Sequence, residues 1–504
     1  MRRAAISLAV LALIAGTANA QWITFVNQTA TRLVVDNPTV GGPNDGVEKD
    51  FAWGDLDKDG WTDLVLVRKS IGSTSGAHIN VLYMNEGGVL RERTVEYATA
   101  SDVPGDQGFR TPTNDRHVVV ADVNGDGWLD VVTVPTYHGG ASPKHLSHPR
   151  VYINQGMGPS GWLGLKFESA RSPQLPMAPN FCHAAAGDLT GNGLPDLYFT
   201  DYSNPLEDRL WFNNGGPFAR WVSGMTGTHT PPYMGTNTFG TSPQIADMNG
   251  DGRNDIIMTK SLGPYEIDVA HNSPTNPGMF TSANFRVAST GSTYFVAVGD
   301  LNQDGKMDAY VVDDGTDFYL INTGNNAQGL ANFTRYSAPA SSGGFGGSTV
   351  IADLDKDGWP VVLVSDVDVD IPSSGGQLRI YRNKKTPITA LFDEPFVGIQ
   401  NNEKNGTFDI AVLDINGDTW PDLVLGRYAG VSVWIQVPPT PACPPDLNGN
   451  GVIDQGDLGI LLAAFGSCPG SPNYHHQAGT LAGDNCVTQA DLGILLPAFG
   501  TSCN

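Results

Sequence analysis

The sequence predicts an all-β fold, a seven-bladed β-propeller, followed by a small α-helical domain at the C-terminus. Three observations carry this prediction. An acidic loop of nine residues recurs seven times, short apolar runs rich in β-branched residues flank each copy, and the last 62 residues change to a helical apolar period and hold four of the five cysteines. The loops begin at Asp55, Asp122, Asp188, Asp247, Asp300, Asp353 and Asp414, at spacings of 67, 66, 59, 53, 53 and 61 residues. Repetition at this period marks units that bury their apolar faces only against one another.

Residues 1–20 read as a secretory signal peptide: Arg2-Arg3, an apolar stretch over 4–14, and a small-residue ending at Ala18-Asn19-Ala20. Residues 21–436 form the propeller. In each repeat a short strand runs into the loop, as at Phe51-Ala52-Trp53-Gly54, and a second leaves it, as at Leu64-Val65-Leu66-Val67. Both are too short for ordinary helices. A third strand often ends at an asparagine, at Asn85, Asn154, Asn213, Asn322 and Asn383, and a more polar fourth follows, as over 331–336. Four antiparallel strands repeated radially make a ring with few exposed edges. The seventh repeat offers only three strands before a proline-rich stretch, so the segment 22–35 is expected to supply the fourth and close the ring. Residues 437–442 read as a stiff linker and 443–504 as a second domain.

The loops have the spacing of a cation site. Alternate oxygen-bearing residues at positions 1, 3, 5 and 9 can curl around one hard ion, a glycine at position 6 permits the bend, and the position-7 carbonyl can add an oxygen. The first loop carries Asp55, Asp57, Asp59 and Asp63. The second, fourth and fifth carry Asp122, Asn124, Asp126 and Asp130; Asp247, Asn249, Asp251 and Asp255; and Asp300, Asn302, Asp304 and Asp308. The third keeps Asp188, Asn192 and Asp196 but has Thr190 at position 3; the sixth keeps Asp353, Asp355 and Asp357 but has Val361 at position 9. The seventh keeps Asp414, Asn416, Asp418 and Asp422, with Thr419 in place of the glycine. Oxygen donors without His or Cys favour Ca²⁺ over zinc or copper. Strong sites are expected in blades 1, 2, 4 and 5, and weaker or distorted ones in 3, 6 and 7. The tryptophans at position 7, Trp61, Trp128, Trp359 and Trp420, are expected to pack between blades.

These loops in their strand context resemble the FG-GAP or VCBS repeats of integrin-type propellers. The resemblance implies calcium near one face and adhesion or ligand binding on another, and it implies no single reaction.

In the C-terminal domain Asp446, Asn448, Asn450, Asp454 and Asp457 stand at positions 1, 3, 5, 9 and 12 of a loop that meets the twelve-residue calcium rule. Leu458, Leu461, Leu462 and Phe465 then fall at helical spacing and are expected to form one apolar face. Thirty-four residues on, Asp491-Leu-Gly-Ile-Leu-Leu-Pro497-Ala-Phe-Gly500 repeats the helix behind a poorer loop, and Pro497 is expected to shorten or kink it. The duplication resembles a type I dockerin, an EF-hand-like domain, which implies a cohesin-like scaffold protein as partner. Cys443, Cys468, Cys486 and Cys503 are expected to form two disulfides; pairing 443 with 468 and 486 with 503 is the simplest of three connectivities. Cys182 is expected to be buried.

Without Arg2 and Arg3 the formal charge falls from −23 to −25, with 52 acidic residues, which argues against nucleic acid as a partner. No later run is long and apolar enough for a transmembrane segment. No nucleophile elbow, zinc-protease helix motif or phosphate loop is present. The residues five positions before each loop are Asp50, His117, His183, Ser242, Phe295, Ser348 and Asp409. If the inner strands align, these share one height around the central opening, and Asp50, His117, His183 and Asp409 form a candidate ligand-binding cluster. The sequence therefore reads as a secreted or cell-surface, calcium-binding, monomeric propeller. Its ligand would be a glycan or an extracellular protein, and its role non-catalytic. The alternative is a polysaccharide lyase or glycoside hydrolase acting at the opening.

Overall fold

The computed structural model describes residues 22–35, 46–73, 76–136, 146–171, 181–201, 209–213, 221–223, 241–261, 265–339, 342, 346–365, 377–437, 444–469, 471, 473–479, 481–484 and 486–503. The proposed signal peptide, the linker from residue 438 onward, Cys443, Thr480 and Asn485 lie outside them.

Short apolar runs on either side of an acidic turn satisfy their backbone groups by pairing with each other. Each acidic loop is accordingly the turn of an antiparallel hairpin; in blade 1 Glu48–Gly54 pairs with Asp63–Lys69, and Gly54 stands opposite Asp63. The seven innermost strands are Glu48–Gly54, Asp115–Ala121, Phe181–Gly187, Pro243–Ala246, Thr293–Gly299, Ser348–Ala352 and Thr407–Leu413. Each begins its own sheet, so the fold is a seven-bladed β-propeller with a small helical region at the C-terminus. Closure follows the expected route. Thr24–Asn27 runs antiparallel to Gly430–Val437 as the outermost strand of blade 7, and Leu33–Val34 continues onto the edge of blade 1 beside Leu90–Glu92.

Apolar side chains of neighbouring blades meet in seven clusters, one per interface. At the closure, Phe51, Leu64 and Tyr83 of blade 1 pack with Leu413, Val424 and Val433 of blade 7. Blades 6 and 7 share Leu354, Leu363, Trp434, Ile23 and Phe25.

The asparagine that recurs at the end of the third strand is more than a turn residue. Its side-chain amide donates to the position-2 carbonyl of the preceding blade's loop. Asn85 reaches Ile415, Asn154 reaches Leu56, Asn213 reaches Val123, Asn272 reaches Leu189, Asn322 reaches Met248 and Asn383 reaches Leu301, at 2.6–3.0 Å. Gln436 completes the circle at Leu354, 2.9 Å away. The ring is thus sewn blade to blade by seven buried amides. Asn154 also accepts from Gly156 N–H and Trp162 Nε1–H through Oδ1. Asn154→Leu is expected to destabilise the ring by about 2–4 kcal/mol, because it leaves buried donors and the Leu56 carbonyl unpaired. A urea midpoint unchanged from wild type would contradict this account.

The C-terminal domain has its own core of Leu447, Ile453, Leu461, Ala464, Ala478, Val487 and Leu495. Its main helices are Gln455–Ala463 and Gln489–Ala498. The apolar face divides: Leu461 and Ala464 are buried, while Leu462 and Phe465 are 53% and 48% exposed. Two expectations need correction. The helix carrying Pro497 is one residue longer than its partner, since a proline in the last turn removes little of the hydrogen-bond ladder. Cys468 is bonded to Cys486, which excludes the simplest pairing. The helical turns bring the end of the first helix beside the second loop, a proximity that sequence spacing does not report. Cys503 is also disulfide-bonded, and Cys182 is buried and free of any disulfide.

Candidate functional site

Two groups of predicted residues gather in different places: the acidic loops at the hairpin turns, and the cluster where the inner strands converge.

In the first loop, Asp55 Oδ1 accepts from Asp59 N–H and Oδ2 from Gly60 N–H, each at 3.1 Å, and Asp59 accepts from Trp61 N–H at 2.8 Å. The curl requires left-handed backbone at positions 4 and 6, met by Lys58 at φ 60° and Gly60 at φ 93°. Blade 7 keeps the same curl although Thr419 occupies position 6. Thr419 adopts φ 73°, and its N–H still reaches Asp414 at 2.7 Å. The expected distortion of that backbone is absent; the strain falls on a β-branched residue instead. Position-7 side chains pack over position 4 of the preceding loop: Trp128 lies under Lys58 Nζ at 4.2 Å, and Trp420 under Lys356 Nζ at 4.9 Å.

Position 9 has a structural task that spacing alone did not disclose. Asp63 is buried, and its two oxygens accept from Leu56 N–H and Asn85 N–H, both at 2.9 Å. Asp130, Asp196, Asp255, Asp308 and Asp422 repeat this brace between loop and third strand. Burial pushes Asp63 up to about 8, with Asp57 and Asp59 adding repulsion, and pushes Asp130, Asp255 and Asp308 up to about 7.

The donor set fits a hard cation. In loop 1 oxygens of Asp55, Asp57 and Asp63 lie within 4.8 Å of one another, and in loop 6 those of Asp353, Asp355 and Asp357 do. Asp353 Oδ1 and Asp355 Oδ1 are buried without a hydrogen-bond partner, as oxygens awaiting a positive charge would be. Trp22 donates to the other oxygen of Asp355. Where position 3 is asparagine, its amide relieves the repulsion: Asn124 donates to Asp126 at 2.8 Å and Asn416 to Asp418 at 2.9 Å. In loop 3 the Asn192 amide is instead committed to the Asn213 carbonyl. The C-terminal loop is similarly curled, with Asp446 accepting from Asn450 and Gly451 N–H. Its Asp457 is buried and accepts from Leu447, Asn448 and Asp454 N–H. It thus also serves as a brace.

All seven residues five positions before the loops line one cavity of about 150 Å³: Asp50, His117, His183, Ser242, Phe295, Ser348 and Asp409. His117 Nδ1 lies 2.8 Å from Asp50 Oδ2, and its Nε2 lies 3.0 Å from the Ala184 carbonyl. Asp50 also accepts from Val118 N–H and Asp409 from Phe51 N–H, so each carboxylate ties its blade to the next. The His117 and His183 rings lie 4.4 Å apart between centroids, and His183 meets Phe295 edge-on at 5.1 Å. Burial opposes charge on His117, but the Asp50 and Asp409 carboxylates outweigh it and raise its pKa. Burial, then His117 and Arg116, hold His183 well below the usual histidine range. Burial and the Asp50 carboxylate push Asp409 up to about 8. His117 is thus biased toward the imidazolium and His183 toward the neutral ring, with two carboxyl groups in the same cavity.

A family model described as "FG-GAP-like repeat" matches residues 55–133, 188–258 and 300–364. The matched stretches contain six of the seven acidic loops, so the propeller resembles FG-GAP-like repeats there. Human integrin alpha-7 is 27% identical over 163 residues, which make up 30% of this chain and 13% of that protein. The chain thus matches a small part of that relative's length. Among solved structures, an Agrocybe aegerita lectin described as recognising non-reducing terminal N-acetylglucosamine aligns with a TM-score of 0.46 at 15% identity, covering 74% of this chain and 88% of the lectin. The Photorhabdus luminescens Tc holotoxin pore aligns with a TM-score of 0.34 at 15% identity, covering 75% of this chain and 16% of that one. Among the described residues no helix is long and apolar enough to cross a membrane.

Proposed function

We propose that the protein is a secreted, calcium-ordered binding propeller that engages a glycan or extracellular protein and is held in an extracellular assembly by a dockerin-like C-terminal domain. Calcium would be held by the position-1, -3 and -5 side chains of the loops, together with position 9 where it is aspartate. It would neutralise their charge and fix the turns. The observation that carries the attachment role is a duplicated apolar surface on the C-terminal domain. Leu462 on the first helix and Phe465 just beyond its end, and their repeats Leu496 and Phe499, are each 45–53% exposed. Large apolar side chains left outside a domain's own core suit a partner surface such as a cohesin-like scaffold.

A glycan array probed in Ca²⁺, together with an assay for new reducing or unsaturated ends, tests the propeller's role. Calcium-dependent binding without product is the expected result. Product formation that is lost in His117→Ala would replace this reading with a polysaccharide lyase or hydrolase, and silence in both assays would leave a structural surface protein.

A further inference from the structure

We infer that Asp50, His117 and His183 form a transition-metal site of the zinc class at the centre of the ring, chemically distinct from the oxygen-only loops. This goes beyond the calcium-ordered binding role and does not rest on it.

The three side chains come from three consecutive innermost strands, at the same height. One ligand-capable atom from each lies within 4.8 Å of the others. Two imidazoles and one carboxylate suit zinc and its first-row neighbours, whereas calcium takes oxygen ligands. The orientation of the rings is the stronger argument. A ligating histidine usually donates its second ring N–H to a backbone carbonyl or carboxylate, which fixes the tautomer and aims the other nitrogen. His117 has its Nε2 on the Ala184 carbonyl at 3.0 Å and its Nδ1 toward Asp50 at 2.8 Å. His183 is hydrogen-bonded to the Thr241 backbone, while its Nδ1 is buried with no hydrogen-bond partner. The next blade explains that orphan. Asp409 and Asp50 each accept the backbone N–H one residue past the equivalent position of the following blade, at Phe51 and Val118. For His183 that residue is Pro243, which has no N–H.

A cation seated among the three would replace the proton between His117 and Asp50 and satisfy His183 Nδ1. Three protein ligands leave a fourth position, which the cavity of about 150 Å³ can fill with water or a ligand oxygen. Asp409 lines the same cavity, where a bound cation would favour its ionised form and offset Arg116 of blade 2, whose positive charge disfavours a cation at His183.

The test is Zn²⁺ titration of chelator-treated full-length protein in saturating Ca²⁺, with bound metal counted by elemental analysis. One Zn²⁺ per chain is expected. His183→Phe and Asp50→Asn should each weaken it by more than the roughly 10–100-fold lost with a supporting residue. His183→Phe is chosen because blade 5 already carries Phe295 at this height. Asp50→Asn keeps an oxygen for Val118 N–H, so one variant reports if the other fails to fold. Absence of Zn²⁺ uptake by the wild-type chain, or uptake unchanged in the folded variants, overturns the site. Either result leaves glycan binding and calcium binding to be judged separately.

Discussion

Phe25→Ala is expected to destabilise the propeller by about 3–5 kcal/mol, the loss typical of truncating a fully buried aromatic. Phe25 is 2% exposed, packs between blades 6 and 7, and donates its N–H to the Val397 carbonyl at 2.9 Å. Its strand, Thr24–Asn27, reaches blade 7 from the far end of the chain and pairs with Gly430–Val437. Removing residues through Asn27 is expected to have a larger effect, because it bares the edge of Gly430–Val437 and invites pairing between molecules. Urea unfolding measures the first change and light scattering the second. A Phe25→Ala midpoint equal to wild type, or a monodisperse truncated ring of full stability, would show that closure does not depend on this strand.

Chelation is expected to lower the melting temperature by about 10 °C near pH 8, equivalent to about 3 kcal/mol at the usual 2–4 °C per kcal/mol. The pH dependence gives the sharper test. Burial raises Asp63 to about 8, Asp130, Asp255 and Asp308 to about 7, and Asp196 to about 6, all above the unfolded value of 3.8. The folded, metal-free chain therefore binds more protons than the unfolded chain between about pH 4 and 8. Stability from these groups is full below the unfolded pKa and is lost as pH rises through the folded values. In chelator the melting temperature should fall from pH 5.5 to 8.5. In excess Ca²⁺ the cation takes the proton's place and the fall should vanish. Identical pH profiles with and without Ca²⁺ would count against the loops as cation sites.

Much of the architecture was legible because it is periodic. Seven copies of one loop between apolar runs predict the blades, and the missing fourth strand of the last repeat pointed to residues 22–35. The candidate cluster was legible in position but not in chemistry. Counting five residues back from each loop found seven of the side chains that line the cavity, yet nothing in that count says that His117 faces Asp50 or that Pro243 leaves His183 Nδ1 without a donor. The recurring asparagine at the end of the third strand was visible, but its role was not, because its partner carbonyl lies in another blade. Helical spacing identified the stripe that includes Leu462 and Phe465 without saying what covers it, and the domain's own core leaves both exposed.

By itself the sequence determined the repeat, the number of blades, the acidic loops and the duplicated C-terminal helix, since each depends on residues close together along the chain. Only the tertiary structure decided the Cys468–Cys486 bond, the amide ring from Asn85 to Gln436, the bracing role of the position-9 aspartates and the meeting of Asp50, His117 and His183. Those depend on distances across blades or between helices. They are fixed when apolar faces pack and the ring closes, a step that places residues far apart in sequence within hydrogen-bonding reach.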